Sequence, residues 1–195
     1  MRVHSILPVS RANGPGSRFT IWVQGCTRKC SGCFNPETHD ASGGSEFSVT
    51  EILKQITPEE TGGITVSGGE PFEQAEELAA LLEQAGAKGL SRLVFTGFTY
   101  EELLSKKSKA IEKCLLGTDM LIDGAYIKEL PPYMPWTGSG NQRILQLEQG
   151  KVVRVCVKTE MEAAEAIDGE IIINSDGKIS ATGNINIARF VDYLA

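Results

Sequence analysis

Short runs of β-branched and aromatic residues recur along the first two thirds of the chain. These runs predict buried strands at residues 18–24 (RFTIWVQ), 64–66, 93–95 and 120–122. Each run ends in a segment that contains glycine or polar residues. The segments that follow the strands are therefore the places to look for a functional site.

Helices are predicted between these strands. Ser48 with Glu51, and Thr99 with Glu102, have the spacing of capping boxes and predict two helix starts. Pro71 suits the first turn of a longer amphipathic helix, because leucines follow it at helical spacing.

The alternation of strands and helices predicts an α/β fold with parallel strands, built either as an open doubly wound sheet or as a barrel. In folds of this kind the functional loops lie at the carboxyl ends of the strands. About five βα units are too few to close an eight-stranded barrel. We therefore expect a partial, open parallel (β/α) barrel.

A loop rich in proline, glycine and aromatic residues at positions 130–140 ends the alternating pattern. Beyond it the sequence predicts a strand at 152–157, a helix at 160–167, a hairpin at 171–181 that turns at Asp176-Gly177, and a last helix at 187–194. We expect a core domain at residues 1–149 and a short C-terminal α+β extension at residues 150–195 that packs on it.

Composition narrows the classes of partner. The chain has 195 residues, 41% hydrophobic and 23% charged, which is typical of a globular domain. A net charge of -6 offers no general attraction to nucleic acid or to an anionic membrane, so a protein or small-molecule partner is predicted. No secretory signal or membrane-spanning run is recognised, and we expect a cytoplasmic protein. Cys114 and Cys156 stand alone in the sequence and are predicted to be buried apolar side chains.

Three other cysteines lie close together in one predicted loop. Cys26, Cys30 and Cys33 have the spacing C-x3-C-x2-C, which in a reducing compartment indicates metal binding before disulfide formation. A closed four-iron cluster takes four thiolates, so three cysteines leave one iron open for a substrate or cofactor. They are the predicted catalytic and metal-binding residues. A structural zinc site completed by His39, in a non-catalytic interaction module, is the alternative.

A second candidate segment follows the predicted strand at 64–66. Its members are Gly68, Gly69, Glu70 and Pro71. Adjacent glycines let a backbone approach a ligand closely, and Glu70 offers a carboxylate to an amine. Alone, the pattern is also typical of an ordinary turn before a helix.

The cysteine motif and the Gly-Gly-Glu-Pro motif together resemble the radical S-adenosylmethionine (SAM) superfamily. Four further segments resemble the activating proteins of glycyl radical enzymes, in particular of anaerobic ribonucleotide reductase. They are Asn13-Gly14-Pro15-Gly16-x-Arg18, Thr96-Gly97-Phe98, Leu121-Ile122-Asp123-Gly124 and Trp136-x-Gly138-Ser139-x-Asn141-Gln142. The matches span about residues 4 to 147.

The resemblance implies a barrel of the radical SAM type and a definite chemistry. The three clustered cysteines would hold a [4Fe-4S] cluster, and the 68–71 segment would bind SAM at its amino group. Thr96 and Asp123 would contact the ribose or methionine part of SAM, unless they only cap strand ends. Reductive cleavage of SAM would give a 5′-deoxyadenosyl radical that removes a hydrogen from a glycine of the partner enzyme. A flavodoxin or ferredoxin would donate the electron.

Two features distinguish this chain from the activating proteins that it resembles. Related activases often have a lysine two residues after the strand-end aspartate, where this chain has Ala125. The extension beyond residue 149 also leaves open an enzyme of the same build that modifies another peptide or a small molecule.

Overall fold

An eight-stranded mixed sheet forms the centre of the computed structural model, which describes residues 1–57, 59–158, 169–173 and 179–183. Its strands are β1 (Arg2–Ser10), β2 (Arg18–Val23), β3 (Ser45–Glu46), β4 (Gly63–Gly68), β5 (Ser91–Phe95), β6 (Met120–Asp123), β7 (Arg143–Glu148) and β8 (Lys151–Val155). Their order across the sheet is β3-β1-β2-β4-β5-β6-β7-β8.

The middle of the sheet is parallel, as the sequence predicts. Strands β2, β4, β5 and β6 pair in parallel, with Val66 beside Ile21 on one side and Val94 on the other. These three side chains are fully buried, which is why the strands read as continuous apolar runs. All four predicted strands in this region are confirmed.

The flanks of the sheet are antiparallel, a feature that the predicted parallel (β/α) arrangement does not include. Strand β1 pairs antiparallel with β2 and β3, and β7 pairs antiparallel with β6 and β8. Between β6 and β7 the described chain contains no helix to carry it back to the start of the sheet, so β7 returns in the opposite direction. The sheet order is linear, so the sheet is not closed, as the prediction of an open arrangement requires, whereas its description as a partial barrel stays a prediction.

Four α-helices accompany the sheet in the described part of the chain. They are α1 (Val49–Leu53), α2 (Ala75–Ala87), α3 (Tyr100–Ser105) and α4 (Lys109–Leu116). Both predicted capping boxes are present, at Ser48 with Glu51 and at Thr99 with Glu102. Pro71 opens a 3-10 turn, Pro71–Gln74, that leads into α2 rather than the α-helix itself.

The C-terminal region is described in part. Strand β8 confirms the strand predicted at 152–157, and it is the edge of the main sheet. Strands β9 (Gly169–Ile173) and β10 (Ile179–Gly183) pair antiparallel, which confirms the predicted hairpin. Its turn at Asp176-Gly177 and the helices predicted at 160–167 and 187–194 lie outside the described residues. The division at residue 149 remains a prediction.

No helix within the described ranges is long and apolar enough to cross a lipid bilayer.

Candidate functional site

The cysteine loop begins where β2 ends. Gly25 has a φ of +99°, a left-handed conformation suited to glycine, and its N–H donates to the Thr38 carbonyl at 2.7 Å. Cys26, Cys30 and Cys33 follow in a loop and are each partly exposed. Burial raises the pKa of the Cys26 and Cys33 thiols. Metal binding at these residues would therefore release protons.

The two glycines of the second motif are required by close packing against this loop. Gly68 has a φ of +98°. A Cβ on Gly69 would lie only 2.2 Å from the Gly25 carbonyl oxygen. The contact is held by backbone hydrogen bonds from Gly69 N–H to Val23 O (2.8 Å) and from Glu70 N–H to Gly25 O (2.9 Å). The Gly-Gly pair thus places the end of β4 directly against the residue before Cys26.

Glu70 joins two strand ends inside the site. Its carboxylate is 1% exposed and accepts hydrogen bonds from Phe72 N–H (3.1 Å), Thr96 Oγ1 (2.9 Å) and Gly97 N–H (2.9 Å). Burial raises the pKa of Glu70 to about 7, although these three donors favour the charged form. The sequence selected Glu70 and Thr96 separately, and the fold brings them into direct contact.

Asp123 lies at the next strand end but has a different environment. Its carboxylate is 1% exposed, accepts from Tyr100 N–H at 2.8 Å and is paired with Arg143, whose Nε donates at 2.9 Å. Arg143 also pairs with Glu101 at 2.8 Å, and hydrogen bonds to Asp123 and then Glu101 raise the pKa of the guanidinium. A direct contact between Asp123 and SAM stays a prediction.

These loops share one cavity of about 1170 Å³. It contains all three clustered cysteines, the 68–70 backbone and Thr96, together with Gly124 from the end of β6. Polar and apolar residues of β1 form another part of its wall, namely His4, Ser5, Ile6 and Leu7. The three cysteines, Gly68, Gly69, Glu70 and Thr96 therefore face a common space at the carboxyl ends of the parallel strands. The other predicted site residues, Pro71 and Asp123, are buried and do not line it.

The loop that contains Trp136 forms a further wall. Gln142 donates to the Gly124 carbonyl at 2.9 Å, and Asn141 donates to the Ala125 carbonyl at 2.8 Å. The loop is thereby fixed to the end of β6. Trp136 lines the cavity, and its buried Nε1 has no hydrogen-bond partner among the described residues.

The Asn13-Gly14-Pro15-Gly16 segment is both a tight turn and part of the wall. Gly14 packs on the buried Arg18, because a Cβ there would lie 2.7 Å from Arg18 Cδ. Burial lowers the pKa of Arg18 to about 10, and its guanidinium is satisfied by Thr65 Oγ1 at 2.7 Å and by nearby carbonyl groups. Asn13 itself lines the cavity.

Known proteins match most of this chain. The family profile described as "4Fe-4S single cluster domain" matches residues 12–145. The "Anaerobic ribonucleoside-triphosphate reductase-activating protein" of Enterobacteria phage T4 is 34% identical over 151 residues, which cover 74% of this chain and 93% of that protein. The protein of the same name from Salmonella typhimurium is 31% identical over 157 residues, covering 75% and 99%. The chain belongs to this family of activating proteins.

Membership of the activating-protein family confirms the predicted enzyme class, a radical SAM activase, and its cofactors, an iron-sulfur cluster and SAM. The "Pyruvate formate-lyase-activating enzyme" of Clostridium pasteurianum is also similar, with 36% identity over 113 residues that cover 53% of this chain and 48% of that enzyme.

The donor set fits a [4Fe-4S] cluster better than a single ion. Within the described ranges, no group of three or more His, Cys, Asp or Glu side chains is placed to hold one metal ion. His39, the fourth ligand of the zinc alternative, lines the cavity, and its buried Nε2 has no hydrogen-bond partner among the described residues, but it does not form such a group with the cysteines. A cluster binds each thiolate at a different iron, so its cysteines need not converge on one point.

Arg28 is a site residue that the sequence analysis missed. It lines the cavity between Cys26 and Cys30, and its guanidinium carbon lies 4.6 Å from the centroid of the Phe98 ring. Its buried Nε has no hydrogen-bond partner among the described residues. The only signal in the sequence is a cation inside the cysteine motif, which no periodicity distinguishes from a solvated loop residue.

Proposed function

We propose that this chain reductively cleaves SAM at a [4Fe-4S] cluster held by Cys26, Cys30 and Cys33. The product radical would then remove a hydrogen from a glycine of a partner enzyme, the anaerobic ribonucleotide reductase. The observation that carries the proposal is the single cavity shared by the three cysteines, the glycine loop and Thr96. The names of the relatives support the choice of partner.

The residues of the cavity fit the groups of SAM. When bound, the cluster would supply one electron to break a carbon-sulfur bond of SAM, which would give methionine and a 5′-deoxyadenosyl radical. Glu70 offers its carboxylate to the amino group, and an ammonium beside it would favour the ionised form of Glu70. Gly68 and Gly69 let the end of β4 pack against Val23 and Gly25, which brings Glu70 to the cavity. Pro71 starts the turn that positions Phe72 N–H on Glu70. Asp123 would support the strand end whose Gly124 faces the cavity.

Arg28 is the guanidinium that we assign to the carboxylate of SAM. A charge-assisted hydrogen bond of about 1.5–3 kcal/mol corresponds to about a tenfold to hundredfold change in affinity. We expect Arg28→Gln to weaken SAM binding by that factor in calorimetry on the reconstituted protein, and Arg28→Lys to restore part of it. Decarboxylated SAM should bind the wild type and Arg28→Gln equally. A similar loss for both ligands would contradict the assignment.

The decisive test is anaerobic SAM cleavage. Reconstituted protein is mixed with dithionite and SAM, and 5′-deoxyadenosine is quantified by mass spectrometry. Cys30→Ala should abolish the product. Cys114→Ala is the matched control, because burial raises the pKa of the Cys114 thiol to about 12 and its Sγ contacts Ala75 O within the core. Equal cleavage by wild type and Cys30→Ala, or zinc in place of iron and sulfide, would overturn the proposal.

The partner is tested by electron paramagnetic resonance on the co-expressed reductase, where a glycyl radical signal is expected. SAM cleavage without that signal would favour an enzyme of the same build that acts on another peptide or small molecule. We place the reaction in the cytoplasm with a flavodoxin or ferredoxin as electron donor. In this proposal residues 1–149 form the radical SAM core, a partial barrel, and residues 150–195 form an extension packed on it.

A further inference from the structure

The β9–β10 hairpin is anchored to the segment that follows β1. Glu170 accepts hydrogen bonds from Ser10 Oγ (2.6 Å) and from Arg11 N–H (2.7 Å). Thr182 accepts from Asn13 Nδ2 at 3.0 Å and donates to Asn13 Oδ1 at 3.1 Å. Glu170 and Thr182 are directly paired in the hairpin, so both anchors lie on the same face of it.

The anchored face also reaches the cavity of the cysteine loop. Ile172 is two residues from Glu170 and shares its face, because side chains alternate along a strand. Ile172 and Thr182 line the cavity from this face. Ala181 and Gly183, the neighbours of Thr182 along β10, line it as well. Ile173 lies on the opposite face and is 73% exposed. The hairpin is therefore a structural wall of the proposed catalytic cavity.

This wall lies outside the part of the chain that matches the family. The family match ends at residue 145, whereas β9 begins at Gly169. The phage relative is covered over 93% of its own length by an alignment that takes in 74% of this chain. The hairpin is thus an addition to the shared core, placed where it lines the same cavity as the three cysteines.

We propose that the hairpin contacts the glycine-bearing peptide loop of the protein substrate and selects which partner is activated. This inference rests on the proposed activase function. A cavity of about 1170 Å³ exceeds the range of about 300–1,000 Å³ that is usual for a single small ligand, which leaves room for peptide beside SAM. Ala181, Thr182 and Gly183 are small, so they leave space for an extended backbone. The glycine of such a loop has no side chain, so its backbone can lie close against these small residues.

Neighbouring positions of β9 provide a matched test. Ile172→Trp adds bulk on the cavity face, and Ile173→Trp adds the same bulk on the exposed face. Two quantities are measured on reconstituted full-length protein. The first is the rate of glycyl radical formation against reductase concentration, and the second is 5′-deoxyadenosine formation without reductase.

We expect Ile172→Trp to raise the KM for the reductase by about tenfold or more, because the peptide is displaced from the reacting position. The rate at which Ile172→Trp forms 5′-deoxyadenosine without reductase should fall by a much smaller factor than the KM rises. Ile173→Trp should keep both quantities within about twofold of the wild type, as exposed substitutions usually do. An unchanged KM for Ile172→Trp, or equal losses in both assays, would overturn the inference.

Glu170→Ala is the second variant, in case the added tryptophan prevents folding. It removes the hydrogen bonds from Ser10 and Arg11 to the Glu170 carboxylate without filling the cavity. The expected result is a raised KM for the reductase at wild-type iron content and an unchanged circular dichroism spectrum. A wild-type KM would overturn the inference. Failure of the wild type to form any glycyl radical would instead overturn the proposed function, and the inference with it.

Discussion

Replacement of Gly69 by alanine tests whether close packing between two strand-end loops builds the cluster site. The added Cβ would lie 2.2 Å from Gly25 O and 2.8 Å from Gly25 C, both backbone atoms that no rotamer change can move. The φ of Gly69 lies outside the left-handed region, so the alanine conformation itself is not strained. The cost therefore comes from the displacement of Gly25, the residue before Cys26.

The magnitude follows from two contributions. Overpacking of a tight interior contact costs about 1–3 kcal/mol. Disruption of the Glu70 N–H to Gly25 O hydrogen bond adds about 1 kcal/mol. A total of about 2–4 kcal/mol corresponds to a fall in the melting temperature of about 5–15 °C for a chain of this length. Because Cys26 moves with Gly25, the iron content after reconstitution should also fall.

The assay compares Gly69→Ala with Gly62→Ala, a glycine at the other end of β4. A Cβ on Gly62 has only Ser17 O nearby, at 3.9 Å. Gly62→Ala should keep the wild-type iron content and change the free energy of unfolding by less than about 1 kcal/mol. Thermal unfolding of the cofactor-free protein and iron and sulfide analysis after reconstitution are measured for both. If Gly69→Ala matches Gly62→Ala in both measurements, the packing argument is refuted.

Three further predictions concern stability. Burial raises the pKa of Glu70 to about 7 from 4.5, so ionisation of Glu70 lowers stability as the pH rises through that window. In urea unfolding measured between pH about 4.5 and about 8, the wild type should lose on the order of 3 kcal/mol of unfolding free energy as the pH rises, and Glu70→Gln should not show this loss. Parallel pH profiles for the wild type and Glu70→Gln would contradict this. Arg143→Leu leaves the buried Asp123 carboxylate without its cation and should lower the free energy of unfolding in urea by about 2–4 kcal/mol, whereas an unchanged midpoint would show that the pair contributes nothing. Thr99→Ala removes the cap on Glu102 N–H and should cost about 1 kcal/mol in the same assay, with Thr99→Ser as the control that retains it.

The sequence predicts the parallel centre of the fold because its signals are local. Strands β2, β4, β5 and β6 are buried on both faces and therefore appear as unbroken apolar runs. Strand β1 was not predicted, since the polar residues His4 and Ser5, which line the cavity, interrupt the apolar pattern. Strand β7 was missed as well, because its position is set by pairing with β6 rather than by β-branched composition.

The candidate site also contains residues that local motifs predict and residues that only the three-dimensional structure reveals. Cys26, Gly69 and Glu70 belong to motifs of fixed spacing, and the structure brings those motifs to one cavity. Arg28 was missed because a single cation in a loop has no pattern. The hairpin was predicted as a secondary structure, but its place in the cavity wall was not. That position depends on contacts such as Glu170 with Ser10, which are 160 residues apart in the chain.

The hydrogen bond from Glu70 N–H to Gly25 O has a thermodynamic consequence for the two cofactors. It joins the loop assigned to SAM to the loop assigned to the cluster, so order in one loop favours order in the other. Linkage requires the effect to be reciprocal: the factor by which a bound cluster increases SAM affinity is the factor by which SAM increases retention of the cluster. A chelator should therefore strip iron more slowly from the SAM-saturated protein than from the same protein without SAM.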